Sequence, residues 1–362
     1  MHHRESAVKG CLLGMAVGDA MGYPIDKKSW AEISEAYGDN GLLGYDLMDA
    51  TADVTSYTQL AAYACNGMLL GACRAHFDRY GRYVVLSLRE WAKSQQFRGT
   101  TEKTYCWLPQ VPELRRRLCM DTRLQDALRK ETLGTPEAPT YRFDTPSSLT
   151  LAFAVGILFD PGRQTPEAMR RLAIESVALT HGDQETFLSA AVAATAIALI
   201  LQDRKTSLET HFLNACQAAD AQFEDTFPAI TKVTDLVRQA VALSKDPELS
   251  SLAAMTILGC RTGAGCLAGS MYAALCHQDS FDDGMIASVN HSGFSGATGA
   301  MTGAFLGARL GAEALPEFYL ESLEAAPWLE ELAIDIVRCR QSMLIFDDSW
   351  DHKYVQGLPP EL

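Results

Sequence analysis

Two glycine ladders, one near each end of the sequence, limit the folds that this chain can adopt. In both ladders a glycine recurs at every fourth position: Gly10, Gly14, Gly18 and Gly22 in the first, and Gly299, Gly303, Gly307 and Gly311 in the second. On a helix this step places the glycines on nearly one face, although each costs about 0.5–1 kcal/mol of helix propensity relative to alanine. Close approach of another backbone would offset that cost. We therefore expect two helices that pack tightly in the core and, by packing on each other, join the chain ends into a single domain, 1–362.

Helical periodicity dominates the rest of the chain and predicts an all-α fold, a compact multi-helix domain. One amphipathic face is formed by Met169, Leu172, Ala173, Ser176, Val177 and Thr180, at the i, i+3, i+4, i+7 spacing of a helix. No alternation typical of a sheet recurs. The apolar run 190–201 is shorter than the roughly 18–20 residues that cross a bilayer, so we interpret it as a buried core helix. The proline-rich segment 98–148 is predicted to form short helices and loops, as a lid or an insertion.

The charge balance restricts the partners of the chain. It has 31 Lys and Arg against 45 Asp and Glu, a net charge of −14, which repels phosphate backbones and anionic lipid. We expect no nucleic acid or membrane partner. The first residues lack the long apolar core of a secretory signal, and we expect a cytoplasmic protein.

Three segments carry a more specific signal. The first, 10–22, ends in Gly-Asp-Ala-Met-Gly; the second, 52–59, reads Ala-Asp-Val-Thr-Ser-Tyr-Thr-Gln; the third, 289–299, reads Val-Asn-His-Ser-Gly-Phe-Ser-Gly-Ala-Thr-Gly. A weaker match is Leu-Thr-His-Gly at 179–182. In this order and spacing the segments resemble those of the ADP-ribosylglycohydrolase family, whose members remove ADP-ribose from arginine or serine side chains or from dinitrogenase reductase. The resemblance runs nearly end to end.

The chain departs from the family pattern at four positions. Ser56, Tyr57, Phe294 and Gly296 stand where the family has aspartates. The resemblance implies a pair of magnesium or manganese ions held by those carboxylates, and hard cations of this kind need anionic oxygen ligands. None of the four residues provides an anionic oxygen, since their side chains are a hydroxyl, a neutral phenol, a phenyl ring and a hydrogen atom. We predict that no metal pair binds here and that the protein uses no cofactor.

The polar residues that the two altered segments retain have two interpretations. They could cap helices and satisfy loop backbone, or they could belong to a pocket reshaped for another ligand, in which Tyr57 and Phe294 stack on a base or close the cleft. The candidate ligand-binding residues are Thr55, Ser56, Tyr57, Thr58, His181, His291, Ser292, Phe294, Gly296 and Thr298.

The candidate catalytic residues are Asp19, Asp53, His181 and Asp183. His181 is a candidate general base or sugar contact, although a lone histidine at a helix entrance is more often structural. Asp19 could orient a loop. Asp46, Asp49 and Asp53 lie shortly before the altered positions Ser56 and Tyr57 and could replace lost ligands, but a solvated acidic loop is the plainer interpretation.

Three hypotheses about function follow. The first is a pseudoenzyme on the hydrolase scaffold, which binds an ADP-ribose-like small molecule or an ADP-ribosylated protein. The second is an active hydrolase that cleaves an N- or O-glycosidic bond without metal, through a pair of carboxylates. The third is a conventional metal-dependent hydrolase in which other acids supply the ligands.

Overall fold

The computed structural model describes residues 2–47, 50–95, 104–115, 118, 121–340 and 348–355. Within these ranges the chain forms α-helices joined by loops and short 3-10 turns, with one isolated β-bridge between Ala52 and Leu323. The helices are α1 (His2–Gly22), α2 (Trp30–Tyr37), α3 (Ser56–Ala72), α4 (Tyr80–Ser94), α5 (Thr122–Arg129), α6 (Leu151–Leu158), α7 (Pro166–Ala178), α8 (Gln184–Gln202), α9 (Leu208–Phe223), α10 (Ile230–Leu243), α11 (Ser251–Leu258), α12 (Gly263–Cys276), α13 (Phe281–Val289), α14 (Ser295–Leu310), α15 (Glu317–Ser322), α16 (Ala326–Cys339) and α17 (Asp348–Trp350). The all-α prediction is confirmed.

The glycine ladders bring α1 and α14 together as an antiparallel pair. A Cβ atom built on Gly14 or Gly18 would lie closer than 3.0 Å to the carbonyl oxygen of Gly303 or Gly299 respectively, and the reverse also holds. Such distances leave no room for a side chain, so the two backbones touch directly. Gly311 has a different role, because its φ of 91° ends α14. The predicted packing of the two helices on each other is therefore observed.

Helix α8 forms the centre of the remaining core. It contacts α6, α7, α9, α10, α12 and α14, and it contains the apolar run predicted to be a core helix. The helix extends over 19 residues, which by length and composition alone would be enough to cross a membrane. However, 83% of its most apolar window is buried inside the protein, as is typical of a core helix.

The proline-rich segment is broken into short elements, as its sequence predicts. Its described parts contain the 3-10 turns Leu108–Gln110 and Pro112–Arg115, the eight-residue α5 and a long loop that leads to α6. Residues 98–103, 116–117 and 119–120 lie outside the described residues.

Candidate functional site

The site is built around the start of α3, which one carboxylate from α1 fixes in place. Asp19 is fully buried. Its Oδ2 accepts hydrogen bonds from the amides of Thr55 and Thr58 (2.9 and 3.0 Å) and from the Thr58 hydroxyl (2.7 Å). Its Oδ1 accepts from the Thr55 hydroxyl (2.7 Å). Burial raises the pKa of Asp19 to about 6, although these hydrogen bonds oppose the shift. The Oδ2 atom is therefore committed to two free amides of the helix start, and the Oδ1 atom to a hydroxyl.

Tyr57 fills the space beside this helix start. Its side chain is completely buried, and its hydroxyl has no hydrogen-bond partner in the part of the chain that the structure describes. A Cβ atom on Gly296 would come within 3.0 Å of the Tyr57 Cε2 atom, so the ring occupies room that the glycine leaves open. Burial, and then the nearby Asp26, raise the Tyr57 pKa well above its ordinary value. Tyr57 is thus a neutral phenol that plugs this part of the site.

Asp26, which the sequence reasoning did not single out, faces the start of α14. Its Oδ1 accepts a hydrogen bond from the amide of Gly296 (2.9 Å), and its inaccessible Oδ2 has no partner among the described residues. Burial raises the pKa of Asp26 to about 7, while the bond from Gly296 and the charge of Lys27 lower it. The chain turns sharply after this acid, because Lys27 has a φ of 67° and its amide donates to the Gly293 carbonyl (2.7 Å). In the sequence, the only indication of this residue is that an aspartate follows the first motif, 10–22, by four positions.

Three retained polar residues of the third motif hold neighbouring loops. The Asn290 side chain accepts from the amide of Leu42 (2.8 Å) and donates to its carbonyl (2.9 Å). The Ser292 hydroxyl accepts from the amide of Trp30 (2.7 Å). Thr298 donates to a carbonyl of the preceding helical turn (2.9 Å). These contacts agree with a structural use of the three residues.

His291 and Phe294 are the other two third-motif side chains of interest. Neither ring nitrogen of the buried His291 has a normal hydrogen bond within the described ranges. Burial lowers its pKa to about 4, a shift that the nearby Ser288 backbone opposes. Phe294 is half-buried, and the Lys27 ammonium lies 5.4 Å from its ring centroid. Phe294 is therefore half-buried and contacts the Lys27 ammonium, whereas Tyr57 is buried in the core.

His181 lies in a closed network of hydroxyls. Its Nδ1 is 2.7 Å from the Ser148 hydroxyl and 2.8 Å from that of Thr180, and its Nε2 is 3.1 Å from the Thr145 hydroxyl. The ring is fully buried, which lowers its pKa to about 4 despite the opposing charge of Asp121. A neutral histidine held by three hydroxyls has no nitrogen left for a substrate in this arrangement.

The remaining candidate acids fall in different places. Asp183 caps α8, because its Oδ1 accepts from the amide and hydroxyl of Thr186 (2.9 and 3.0 Å). Asp46 and Asp53 line a common cleft. Asp49 lies outside the described residues.

That cleft, the site cleft, has a volume of about 360 Å³ and adjoins Asp19 through the next residue of α1. It is lined by Ala20, Tyr23, Pro24, Tyr45, Asp46, Thr51, Ala52 and Asp53. The Tyr45 hydroxyl is buried and has no partner within the described chain. The cleft thus combines aromatic surface and two carboxylates with a buried, unpartnered phenol in its wall.

The chain belongs to the ADP-ribosylglycohydrolase family, since the family model of that description matches residues 1–343. It is also similar to a solved structure of an ADP-ribosylglycohydrolase-related protein complex, with a TM-score of 0.56, 19% identity, and coverage of 94% of this chain and 100% of that chain. At this identity the likeness concerns the fold alone. Comparison with curated proteins gives no match.

The residues at the site do not fit the metal pair that the family resemblance implies. No three His, Cys, Asp or Glu side chains in the described ranges are grouped so that they could hold a metal ion. Asp19 uses both oxygens for hydrogen bonds, and Asp26 offers one unpartnered oxygen beside Tyr57.

Proposed function

We propose that this member of the ADP-ribosylglycohydrolase family is a pseudoenzyme, which binds an ADP-ribose-like small molecule but does not hydrolyse it through a metal pair. The observation that carries the proposal is the position of Tyr57. Its completely buried ring lies against Gly296, between the starts of α3 and α14. A neutral, bulky group thus occupies the place where the family pattern has an acidic ligand.

Charge supports the same conclusion. Two divalent cations bring four positive charges, which in a partly dry site must be offset by nearby carboxylates. Asp26 offers one free oxygen, and burial raises its pKa to about 7, so it would be partly protonated near neutral pH. One partly protonated carboxyl group does not offset the four positive charges of two divalent cations.

The site cleft supports a small-molecule ligand. Its volume of about 360 Å³ lies within the usual range of ligand pockets, about 300–1,000 Å³. Tyr23 and Tyr45 offer faces for a planar base, and Asp46 and Asp53 can accept hydrogen bonds from ribose hydroxyls. The acidic lining disfavours a buried diphosphate, so we place the nucleoside end of the ligand in the cleft and its phosphates outside. The net charge of the chain, −14, repels nucleic acid and so favours a small molecule or an ADP-ribosylated protein as the ligand.

Isothermal titration of EDTA-treated protein with ADP-ribose, with and without millimolar magnesium, tests the binding. We expect the same affinity in both conditions. Tyr45→Phe removes only the unpartnered hydroxyl and should weaken binding several-fold, whereas Tyr141→Phe, outside the cleft, should leave it unchanged. Binding that needs magnesium, or no binding at all, would contradict the proposal.

A hydrolysis assay tests the absence of activity. Peptides ADP-ribosylated on arginine or serine are incubated with the protein and magnesium, and released ADP-ribose is measured by chromatography. We expect release at the rate of the buffer blank. Release that depends on magnesium would show that other acids supply the ligands.

Asp26 supports a second candidate, a metal-independent hydrolase. A carboxyl group with a pKa of about 7 and an unpartnered oxygen has the properties of a general acid or base. Release of ADP-ribose that persists in EDTA and is lost in Asp26→Asn would favour this alternative over the pseudoenzyme. Persistence of the activity in Asp26→Asn would exclude Asp26 as its acid or base.

A further inference from the structure

A second cleft runs along the junction of α4 and α7, and none of the residues of the candidate site lines it. Two cavities of about 470 and 610 Å³ share Gly81, Arg82, Arg171, Leu172 and Glu175. Because they share these residues, the two cavities adjoin, and we name them together the arginine cleft.

The charge of this cleft is opposite to that of the chain. Four arginines line it, Arg79, Arg82, Arg163 and Arg171, against the three carboxylates of Asp78, Glu137 and Glu175. The whole chain carries −14. A local excess of positive charge in an acidic protein concentrates anions at that place.

The arginines differ in how far they are already paired. Arg171 is held by Glu137 and Glu175, both at 2.6 Å, and its charge is offset. Arg82 is exposed, and no ion pair or hydrogen bond of its side chain is found in the described chain. Arg79 makes one long contact of 3.7 Å with Asp78. Arg79 and Arg82 line the same cavity, and neither is fully paired, so both can contact a bound anion.

A third group in the cleft lacks a partner. The Gln164 Nε2 donates to the Phe77 carbonyl (3.4 Å), and this orients the amide. Its Oε1 is buried and accepts no hydrogen bond from the described residues. A buried acceptor of this kind needs a donor, and a hydroxyl on a bound ligand would supply one.

The end of the cleft away from Gln164 is apolar. Val85, Pro136, Leu172 and Leu179 line it, which suits a flat, weakly polar group. The cleft thus presents a place for an anion, a place for a hydroxyl donor and an apolar surface.

We propose that the arginine cleft binds a nucleoside phosphate. Its phosphate lies against Arg79 and Arg82, a ribose hydroxyl donates to the Gln164 Oε1, and the base covers the apolar end. Guanidinium groups suit phosphate because their donors match its oxygens in pairs. This site is separate from the site cleft and does not depend on the function proposed for it.

The test is titration calorimetry of the full chain with adenosine 5′-monophosphate, adenosine and inorganic phosphate. We expect the monophosphate to bind at least tenfold more tightly than either part. Arg82→Glu should weaken binding of the monophosphate at least tenfold, and the 2′,3′-dideoxy compound should bind several-fold more weakly than the monophosphate.

Lys205→Glu is the matched control, since it makes the same change of charge at an exposed residue outside the cleft. It should bind the monophosphate as the wild type does. Arg82 is exposed, so Arg82→Glu should keep its thermal midpoint, which is checked in parallel. Equal binding by Arg82→Glu and the wild type would refute the proposal. Equal binding of phosphate and the monophosphate would reduce the cleft to a simple anion site and would also refute it.

Discussion

The contact between α1 and α14 makes a quantitative prediction for Gly303→Ala. The added Cβ would lie closer than 3.0 Å to the carbonyl carbon and oxygen of Gly14. These are backbone atoms of a buried helix, so no rotamer change can relieve the overlap, and the two helices must separate.

The expected magnitude is the difference between two effects. Overpacking a close-packed core costs about 1–3 kcal/mol, and we take the upper end, about 3 kcal/mol, because backbone must move. Alanine restores about 1 kcal/mol of helix propensity. The net loss in the free energy of unfolding is therefore about 2 kcal/mol, which in a chain of this size lowers the thermal midpoint by about 3 °C.

Gly81→Ala in α4 is the matched control. A Cβ there would meet only the Leu172 Cδ1 atom, at 3.6 Å, which is ordinary van der Waals contact. This variant should be as stable as the wild type or more stable by up to about 1 kcal/mol. The assay is urea unfolding followed by circular dichroism, with thermal melts of the same samples.

The double variant Gly14→Ala, Gly303→Ala provides a further check. Because both changes push the same two backbones apart, their effects should be less than additive. Unfolding of Gly303→Ala at the wild-type midpoint would refute the reasoning, as would an equal loss of stability in Gly81→Ala.

Three further predictions concern the buried polar groups of the site. Burial raises the pKa of Asp26 from 3.8 to about 7, so the contribution of this carboxyl group to stability is full below pH 3.8 and is lost as the pH rises towards 7. Asp26→Asn should therefore gain stability relative to the wild type as the pH rises from 3.8 to 7. A difference in unfolding midpoint that stays constant with pH would contradict this. Asp19→Ala leaves two amides and two hydroxyls at the start of α3 without their acceptor, and it should lower the free energy of unfolding in urea by about 3 kcal/mol. A loss below about 1 kcal/mol would show that these groups find other partners. His181→Ala should lower the free energy of unfolding by about 2–4 kcal/mol, because Ser148 and Thr145 lose their buried hydrogen-bond partner. His352→Ala, at an exposed histidine, is the control. Equal unfolding midpoints for the two variants would contradict the hydrogen-bond network around His181.

The buried position of Tyr57 connects the fold to the proposed function. The ring needs the space that Gly296 leaves free, and the Asp19 carboxylate holds the helix start on which Tyr57 sits. Tyr57 and Gly296 therefore fit each other as a pair.

The sequence alone determined the features that depend on spacing and residue type. A glycine at every fourth position has few uses other than close helix packing, so the contact of α1 with α14 was predictable, as were the all-α fold and the family resemblance. The four positions at which the resemblance implies aspartates could also be identified in the sequence, because Ser56, Tyr57, Phe294 and Gly296 carry no carboxylate.

How these residues are used depends on the packing of the folded chain. Asp26 and Tyr57 are 31 positions apart, and their proximity depends on the left-handed turn at Lys27 and on the packing of α3 beside α14. Burial decided the rest: it closes the network around His181 and commits Asp19 to the start of α3, while Arg82 on α4 stays exposed. Desolvation and hydrogen-bond partners are properties of the packed chain, and neither can be read from the order of its residues.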